Sequence, residues 1–256
     1  MNKKRINICG VSLDRIKRKE ALEQVNQFLH TDGQYTIFTP NPEMIVDAQR
    51  DEYFKEILQE SDLNICDGIG LVFASFFRLQ KISGVDFMLD ILAEAEREKK
   101  RVYFLGSGDR AVLDNMINIL HKKFPTVYIA GSHEGINISQ IKENGRSILY
   151  YDEKENNDMI ADIVMSEADI LFVAFGHKKQ EKWIYEHIKD IPRLKIAMGV
   201  GGSFDFLGEK IQRAPKFLRH IGCEWLYRLV QEPCRLKRIW NATIVFLFYF
   251  FKYLFR

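Results

Sequence analysis

Short apolar runs rich in Val, Ile and Phe alternate along the chain with longer stretches of helical periodicity. Each apolar run is followed by a polar or glycine-containing turn, which is typical of strands joined by helices. The pattern therefore predicts an α/β fold in which helices pack on both faces of a mostly parallel sheet. The predicted strands are Tyr35–Phe38, Leu63–Cys66, Arg101–Leu105, Thr126–Ala130, Asp169–Phe175 and Lys195–Val200.

Polar residues follow the first two predicted strands. Asn41 is placed to cap a helix that begins at Pro42 and runs through Leu58. Asp67 follows the second strand, where an acid serves either as a helix cap or as a catalytic carboxylate. Since ligands of open α/β sheets bind outside the carboxyl ends of the strands, both turns are candidate site positions.

A glycine-containing turn, Gly106-Ser107-Gly108-Asp109-Arg110-Ala111, follows the third strand. It matches the G-x-G-x-x-A pattern of dinucleotide sites. Such a site also needs an acid at the end of the next strand, but Gly131-Ser132 stands there and Glu134 comes late. Because that acid is missing, a plain glycine turn or a phosphate contact is the simpler interpretation. An NAD-dependent oxidoreductase remains the alternative function.

Later turns hold further candidates. Lys178, Lys179 and Gln180 begin a predicted helix, where they can contact a phosphate or a sugar or form a solvated basic face. Glycines in Gly199–Asp205 allow the backbone to approach a ligand closely, and Asp205 can bind a sugar hydroxyl or cap a helix. Residues 144–158 show no clear period and are expected to form a surface excursion.

Charge is distributed unevenly along the 256 residues. Residues 210–256 carry ten bases and two acids, a net charge of +8, and residues 1–209 carry −6. This split predicts a body over residues 1–209, a basic appendage over residues 210–256, and a negatively charged partner at the C-terminal end. The four cysteines form no CxxC motif, so a zinc site or a disulfide framework is not expected, and the basic N-terminus does not read as a signal peptide.

Aromatic and basic residues interleave from Arg213 onward, and an apolar run follows at Ala242–Phe251. A helix over Trp240–Arg256 would reach only about 26 Å, which is short of the roughly 20 residues that span a bilayer. The composition favours a segment that attaches to an anionic membrane surface. A core-packing helix and a nucleic-acid-binding module are the alternatives.

Several motifs together resemble one enzyme family. They are Thr39-Pro40-Asn41-Pro42-Glu43, Asp67-Gly68-Ile69-Gly70, Ser83-Gly84-Val85-Asp86, Val102-Tyr103-Phe104-Leu105-Gly106, Lys179-Gln180-Glu181-Lys182-Trp183, Gly199-Val200-Gly201-Gly202-Ser203-Phe204-Asp205, Arg213-Ala214-Pro215 and Glu224-Trp225-Leu226-Tyr227-Arg228-Leu229 with Glu232-Pro233. In this order, from about Ile8 to Ile239, the chain resembles the WecG/TagA/CpsF glycosyltransferases.

The resemblance implies a Rossmann-like body with a helical, membrane-associating C-terminal appendage. It implies an inverting enzyme that moves N-acetylmannosamine, or its uronic acid, from UDP to a polyprenol-diphosphate-linked N-acetylglucosamine. The reaction would serve teichoic acid or other cell-surface polysaccharide synthesis at the cytoplasmic face of the membrane, with the enzyme attached peripherally.

The resemblance also assigns site residues. Asp67 corresponds to the proposed base, Thr39 and Gln180 to catalytic-pocket positions, and Lys81 stands where the family usually has an arginine. The substrate-binding positions would be Asn41, Gly201, Gly202, Asp205, Arg228, Arg235 and Arg238. Lysine keeps the charge at position 81 but loses the bidentate fork of arginine.

No D-x-D motif is present to hold a divalent metal, so neither a metal nor another cofactor is expected. Cationic side chains and helix N-termini are then the expected neutralisers of the leaving diphosphate. The remaining expectations concern partners: a possible homo-oligomer and no nucleic acid.

Overall fold

The computed structural model describes residues 4–143, 146–220 and 222–255. These residues form strands at Arg5–Ile8 (β1), Val11–Asp14 (β2), Tyr35–Phe38 (β3), Leu63–Asn64 (β4), Arg101–Gly106 (β5), Tyr128–His133 (β6), Ser139–Glu143 (β7), Arg146–Tyr150 (β8), Ile170–Ala174 (β9) and Ile196–Gly199 (β10).

The described α-helices are Arg18–His30 (α1), Pro42–Ala48 (α2), Glu52–Glu60 (α3), Ile69–Ala74 (α4), Gly84–Arg97 (α5), Arg110–Lys123 (α6), Glu153–Met165 (α7), Lys179–His187 (α8), Ser203–Leu207 (α9), Lys216–His220 (α10), Glu224–Gln231 (α11), Leu236–Trp240 (α12) and Phe246–Leu254 (α13). Short 3₁₀ turns lie at Ile188–Asp190 and Pro233–Arg235, and a π-helical turn, Asn241–Val245, joins α12 to α13.

Each of the six predicted strand segments contributes a strand to one sheet, in the order β4-β3-β10-β9-β5-β6. The pairings within this sheet are all parallel, so the predicted α/β fold is confirmed. Of the six strands, β3 keeps both predicted ends and the other five shift. The largest differences are that β4 covers only Leu63–Asn64 and that β6 runs from Tyr128 to His133. Two antiparallel hairpins, β1-β2 and β7-β8, lie outside this sheet.

Alternate side chains of the central strands enter two separate cores. In β9, Ile170 and Phe172 pack with α1, α5 and α6, whereas Leu171 and Val173 pack with α2, α3, α7 and α8. This period of two is expected for a parallel sheet that is covered on both faces. The carboxyl ends of β3, β4, β9 and β10 therefore open on one edge between the two helical layers.

One sequence prediction was wrong and another was incomplete. The single helix predicted through Leu58 is divided into α2 and α3, because Asp51 starts a new helix by accepting a hydrogen bond from the Phe54 amide at 3.3 Å. The predicted surface excursion is mostly regular: β8 pairs with β7, and α7 begins at Glu153 with Asp152 as its cap. Asn144 and Gly145, at the start of that segment, lie outside the described residues.

The C-terminal helices pack along the body. The π-helical turn and α13 both contact α2, and Phe246 is buried in the core with α2 and α3. The aromatic side chains Trp240, Phe248 and Phe251 remain exposed. None of the described helices combines the length and the apolar character needed to cross a membrane.

Candidate active site

Two adjoining cavities lie at the edge where the carboxyl ends of the strands meet the C-terminal helices. Their volumes are about 360 Å³ and 410 Å³, which is within the usual size of small-molecule sites. The first cavity is walled by the turns after β3, β4, β9 and β10, and the second lies between α4 and the C-terminal helices.

The structure brings the predicted site residues together. The first cavity is lined by Thr39, Asn41, Asp67, Gln180, Gly201, Gly202, Asp205, Arg228, Arg235 and Arg238. The remaining predicted residue, Lys81, lines the second cavity. Asp67, Asn41 and the three arginines line both, so they form the shared wall.

Asp67 is fixed at the shared wall by its backbone and its carboxylate. Its amide donates to the Pro40 carbonyl at 2.9 Å, which ties the turn after β4 to the turn after β3. Its carboxylate accepts a hydrogen bond from the Gly84 amide at the first residue of α5. Helix α4 is capped by Gly68, so the interpretation of Asp67 as the cap of that helix was wrong.

The electrostatics of Asp67 favour a proton-accepting carboxylate. Burial raises its pKa to about 6, while the positive charge of Lys81 and the Gly84 hydrogen bond oppose the rise, and Glu224 adds to it. A carboxylate with a pKa near 6 is still ionised at neutral pH and is more basic than an exposed aspartate.

Lys81 links the second cavity to the C-terminal segment. Its amine donates to the Arg219 carbonyl at 3.1 Å, at the end of α10. It lines the cavity beside Asp67 and Glu224. The lysine therefore holds the appendage in place and puts a positive charge near Asp67.

Gln180 is buried at the start of α8 and fixes the glycine turn after β10. Its Oε1 accepts from the Gly201 amide at 2.9 Å, and its Nε2 donates to Glu181 Oε1 at 2.7 Å. The side chain needs Gly199 beside it, because a Cβ there would lie 2.8 Å from Gln180 Nε2. Gly201 has a φ of 56°, in the left-handed region that glycine adopts readily.

Arg228 and Arg235 reach the first cavity from the appendage and share one acid. Glu232 Oε2 accepts from Arg228 Nε at 2.9 Å and from Arg235 Nε at 2.6 Å. The Arg228 guanidinium lies 4.7 Å from the centre of the Phe206 ring. It also lies against Gly202, where a Cβ would be 3.0 Å from Arg228 Nη2. One acid against two arginines leaves excess positive charge at this wall.

Asp205 lies inside α9, whose cap is Gly202, so Asp205 is not the helix cap that the sequence allowed. It lines the first cavity. Burial raises its pKa, while the positive charges of Lys210, Arg228 and Arg235 oppose the rise. The carboxylate is therefore an acceptor held among cationic groups.

Arg238 is held by a chain of polar contacts. Its Nε and Nη2 donate to Glu43, at 2.9 Å and 2.8 Å, and Nη2 lies 3.3 Å from His177 Nδ1. Because arginine only donates, His177 Nδ1 accepts and its Nε2 donates to Asp47 at 2.9 Å. The chain joins the appendage to α2 and to the turn after β9.

Lys178 and Lys179 do not line the described cavities, although the sequence made them candidates for a phosphate contact. Lys178 Nζ lies 3.5 Å from Asp47, and Lys179 Nζ donates to the Ile138 carbonyl at 3.2 Å. Both amines therefore stabilise the body.

The glycine turn after β5 has a structural explanation. A Cβ at Gly106 would lie 2.7 Å from the Ala174 backbone, so glycine permits the close pairing of β5 and β9. Asp109 caps α6 by accepting from the amides of Ala111 and Val112. The Ser107 hydroxyl is buried at the first cavity and has no hydrogen-bond partner among the described residues.

Sequence reasoning missed the residues that hold the predicted ones. These are Glu43, His177, Phe206 and Glu232. It also missed Ser107, which lines the first cavity. Glu43, His177 and Phe206 contact residues far along the chain, so spacing carries no signal for them. Glu232 instead lies four residues after Arg228 and three before Arg235, a helical spacing that could have indicated these ion pairs. Within residues 4–143, 146–220 and 222–255, no three His, Cys, Asp or Glu side chains are grouped so that they could hold a metal ion.

Comparison with known proteins gives consistent matches. The family model described as the glycosyl transferase WecG/TagA/CpsF family matches residues 6–256. A protein of Bacillus spizizenii is 33% identical over 207 residues, which cover 79% of this chain and 74% of the relative. A protein of Bacillus subtilis is 30% identical over 208 residues, with the same two coverages.

A protein of Staphylococcus aureus strain MW2 is 26% identical over 249 residues, which cover 95% of this chain and 91% of the relative. All three relatives carry the name N-acetylglucosaminyldiphosphoundecaprenol N-acetyl-beta-D-mannosaminyltransferase.

Proposed function

Since the chain belongs to the WecG/TagA/CpsF family of glycosyltransferases, we propose that it transfers N-acetylmannosamine, or its uronic acid, from the UDP-sugar to a polyprenol-diphosphate-linked N-acetylglucosamine. Such a transfer belongs to teichoic acid or related cell-surface polysaccharide synthesis. An NAD-dependent oxidoreductase is not favoured, because the family match spans nearly the whole chain and Gly106 is explained by strand pairing.

The observation that carries the proposal is the position of Asp67 between the two cavities. A transferase that inverts configuration needs a base on the acceptor side of the anomeric carbon, opposite the leaving group. A carboxylate in the wall between a donor site and an acceptor site meets that requirement. Its pKa of about 6 keeps it ionised at neutral pH.

The first cavity suits the nucleotide diphosphate of the donor. The Gly201-Gly202 turn and the guanidinium groups of Arg228 and Arg235 are the anion-binding groups there. Asp205 provides an acceptor for a ribose or sugar hydroxyl. Gln180 is then a positioning residue, because both ends of its amide are engaged in holding the Gly201 turn and Glu181.

The second cavity suits the lipid-linked acceptor. One part of its wall is cationic, with Lys81 and Arg238, and another is apolar, with Ile69, Trp225 and Ile239. A diphosphate that is attached to a hydrocarbon chain needs both kinds of wall. The acceptor sugar would then lie toward Asp67.

The proposed step is a single displacement. The acceptor hydroxyl oxygen forms a bond with the anomeric carbon while the bond from that carbon to the UDP oxygen breaks, and UDP leaves with the electron pair. The hydroxyl proton passes to Asp67. Arg228 and Arg235 stabilise the charge that develops on the departing diphosphate, which is the role we assign to them in place of a metal ion.

We also propose that the enzyme attaches peripherally to the cytoplasmic face of the membrane through residues 210–256. The support is chemical: this segment has a net charge of +8 and exposes the aromatic side chains of α12 and α13. Apolar insertion combined with attraction to anionic headgroups gives reversible attachment.

The experiment that tests the function is release of UDP from UDP-N-acetylmannosamine, with and without a polyprenol-diphosphate-linked N-acetylglucosamine. We expect release that depends on the acceptor and is unchanged by a metal chelator. UDP-N-acetylglucosamine is the matched donor control and should give little release, because it differs only in configuration at one carbon. Folded protein that releases no UDP from UDP-N-acetylmannosamine or from the UDP-linked uronic acid would contradict the proposal.

A further inference from the structure

The end of α4 and the turn that follows it expose three phenylalanines. Phe73, Phe76 and Phe77 have exposures of 56%, 67% and 71%. The rings of Phe73 and Phe77 meet edge to face, with centroids 5.1 Å apart. Single exposed apolar side chains are ordinary on soluble proteins, but three clustered aromatic rings form a patch that marks an interaction surface.

An unfavourable backbone presents two of these rings to the surface. Phe76 and Phe77 have φ values of 52° and 60°, in a region that bulky residues rarely adopt. The turn is fixed by Ser75, whose hydroxyl donates to the Val72 carbonyl at 2.8 Å and accepts from the Leu79 amide at 3.1 Å. A strained shape that is held this firmly indicates a function for the side chains it exposes.

The three rings continue the apolar face of the last helix. The Phe76 ring lies 6.5 Å from the ring of Phe250 in α13. Along α13, Leu247, Phe248 and Phe251 are also exposed. The turn after α4 and the last helix therefore present one shared aromatic surface, although they are far apart in the chain.

Segments next to this aromatic surface flank the second cavity. Ile69 and Gly70 of α4 line one side, and Ala242 and Thr243 of the π-helical turn before α13 line the other. A ligand with a hydrocarbon chain can therefore occupy this cavity while its chain extends toward the aromatic surface.

We propose that the Phe73–Phe77 turn is a second membrane-binding element, which inserts its rings into the lipid interface beside α13. Aromatic side chains favour the interface, and the exposed bases Arg78 and Lys252 lie on the two elements to attract anionic headgroups. Contact at both elements sets the second cavity at the membrane surface. The inference rests on the lipid-linked acceptor that we propose above.

The test compares binding to vesicles of equimolar phosphatidylglycerol and phosphatidylcholine. One variant carries Phe73→Ser, Phe76→Ser and Phe77→Ser. The matched control carries Tyr150→Ser, Val164→Ser and Met165→Ser, which replace three exposed apolar side chains of β8 and α7. We expect the phenylalanine variant to lose roughly tenfold or more in vesicle affinity and the control to bind like the unaltered protein.

A second measurement reports insertion directly. The Phe76→Trp protein, mixed with vesicles whose acyl chains carry bromine, should show more fluorescence quenching than the unaltered protein with its native tryptophans. The inference would be overturned if the phenylalanine variant bound vesicles as tightly as the unaltered protein. It would also be overturned if the Phe76→Trp protein showed no more quenching than the unaltered protein. So would a phenylalanine variant that only breaks up a dimer, because the patch would then bind a second copy of the chain.

Turnover with a water-soluble acceptor separates this inference from the proposed function. With N-acetylglucosamine diphosphate on a short alkyl chain, the phenylalanine variant should match the unaltered protein, because its active site is intact. A loss of turnover there would overturn the inference by assigning the turn to the active site. Absence of turnover in the unaltered protein would instead contradict the proposed function, while the vesicle results would still stand.

Discussion

At the scale of single residues, the charge of Asp67 is set by opposing effects. Burial raises its pKa to about 6, and Lys81 limits that rise. The same burial that makes the carboxylate a better base also makes its ionised form unfavourable in the folded protein. Catalytic and thermodynamic consequences follow from this one side chain.

The first prediction concerns pH. If Asp67 accepts the proton, kcat/KM for transfer should fall as the pH drops through about 6, by about tenfold for each pH unit below it. The reason is that only the ionised carboxylate accepts a proton, and its fraction falls with pH below its pKa. Measuring kcat/KM from about pH 5 to about pH 8 tests this. A rate that stays flat down to pH 5 would exclude a base with the pKa that Asp67 has.

The second prediction concerns stability. The folded-state pKa lies above the unfolded value, so the folded protein binds this proton more tightly than the unfolded chain. The ionised carboxylate therefore destabilises the fold above about pH 6, and the effect disappears as the pH falls toward about 4. Asp67→Asn should thus increase the free energy of unfolding at neutral pH by on the order of 1–3 kcal/mol.

Urea unfolding of Asp67→Asn at neutral and acidic pH measures this difference. The exposed Asp158→Asn on α7 is the control and should leave stability unchanged at both. A less stable Asp67→Asn at neutral pH would show that the hydrogen bond from Gly84 and the charge of Lys81 outweigh burial.

The sequence predicted Asp67 but not the acids that hold the arginines facing it. A strand end places an acid at a functional edge whatever the rest of the fold, so its position could be inferred from the local pattern. Glu43 binds Arg238 of the appendage, 195 positions away, and that contact exists only after the chain has folded. The contacts of Glu232 with Arg228 and Arg235 instead follow local helical spacing.

At the scale of elements, the local pattern predicted the strands of the main sheet better than it predicted the outer hairpin and the helix ends. Five of the six apolar runs formed strands that are largely buried. The sixth formed the edge strand β6, which is more exposed and begins at the exposed Tyr128. The β7-β8 hairpin was missed because its strands are short and largely exposed, so no apolar run marks them. The break between α2 and α3 depends on Asp51, whose carboxylate also binds the buried amine of Lys182 at 2.7 Å.

The third prediction concerns UDP binding by Arg228 of α11. Arg228→Ala should weaken UDP binding by roughly 10- to 100-fold, because a charge-assisted contact in a partly buried wall is lost. Arg228→Lys should restore only part of the affinity, because lysine lacks the planar fork and its contact with the Phe206 ring. Calorimetric titration with UDP measures both variants.

Lys237→Ala is the matched control for the two Arg228 variants. Lys237 is an exposed base in α12 that does not line either cavity, so UDP affinity should be unchanged. If Arg228→Ala and Lys237→Ala behaved alike, the arginine would contribute only to the general charge of the appendage.

At the scale of the whole molecule, the fold joins two parts of opposite charge. The body supplies Asp67, Gln180 and the Gly201-Gly202 turn, and the appendage supplies the arginines that face them. The charge split was visible in the sequence, but the strand order β4-β3-β10-β9-β5-β6 was not, because pairing between distant segments carries no local signal. The meeting of the two parts at one edge was inferred only through the family resemblance.

The most direct test of this account is acceptor-dependent transfer by Asp67→Asn, with UDP binding measured on the same protein. Asparagine preserves the size of the side chain but cannot accept the proton from the acceptor. We predict a loss of roughly 100-fold or more in kcat with UDP affinity nearly unchanged. Transfer at the rate of the unaltered enzyme would contradict the assignment of Asp67 as the base between the two cavities.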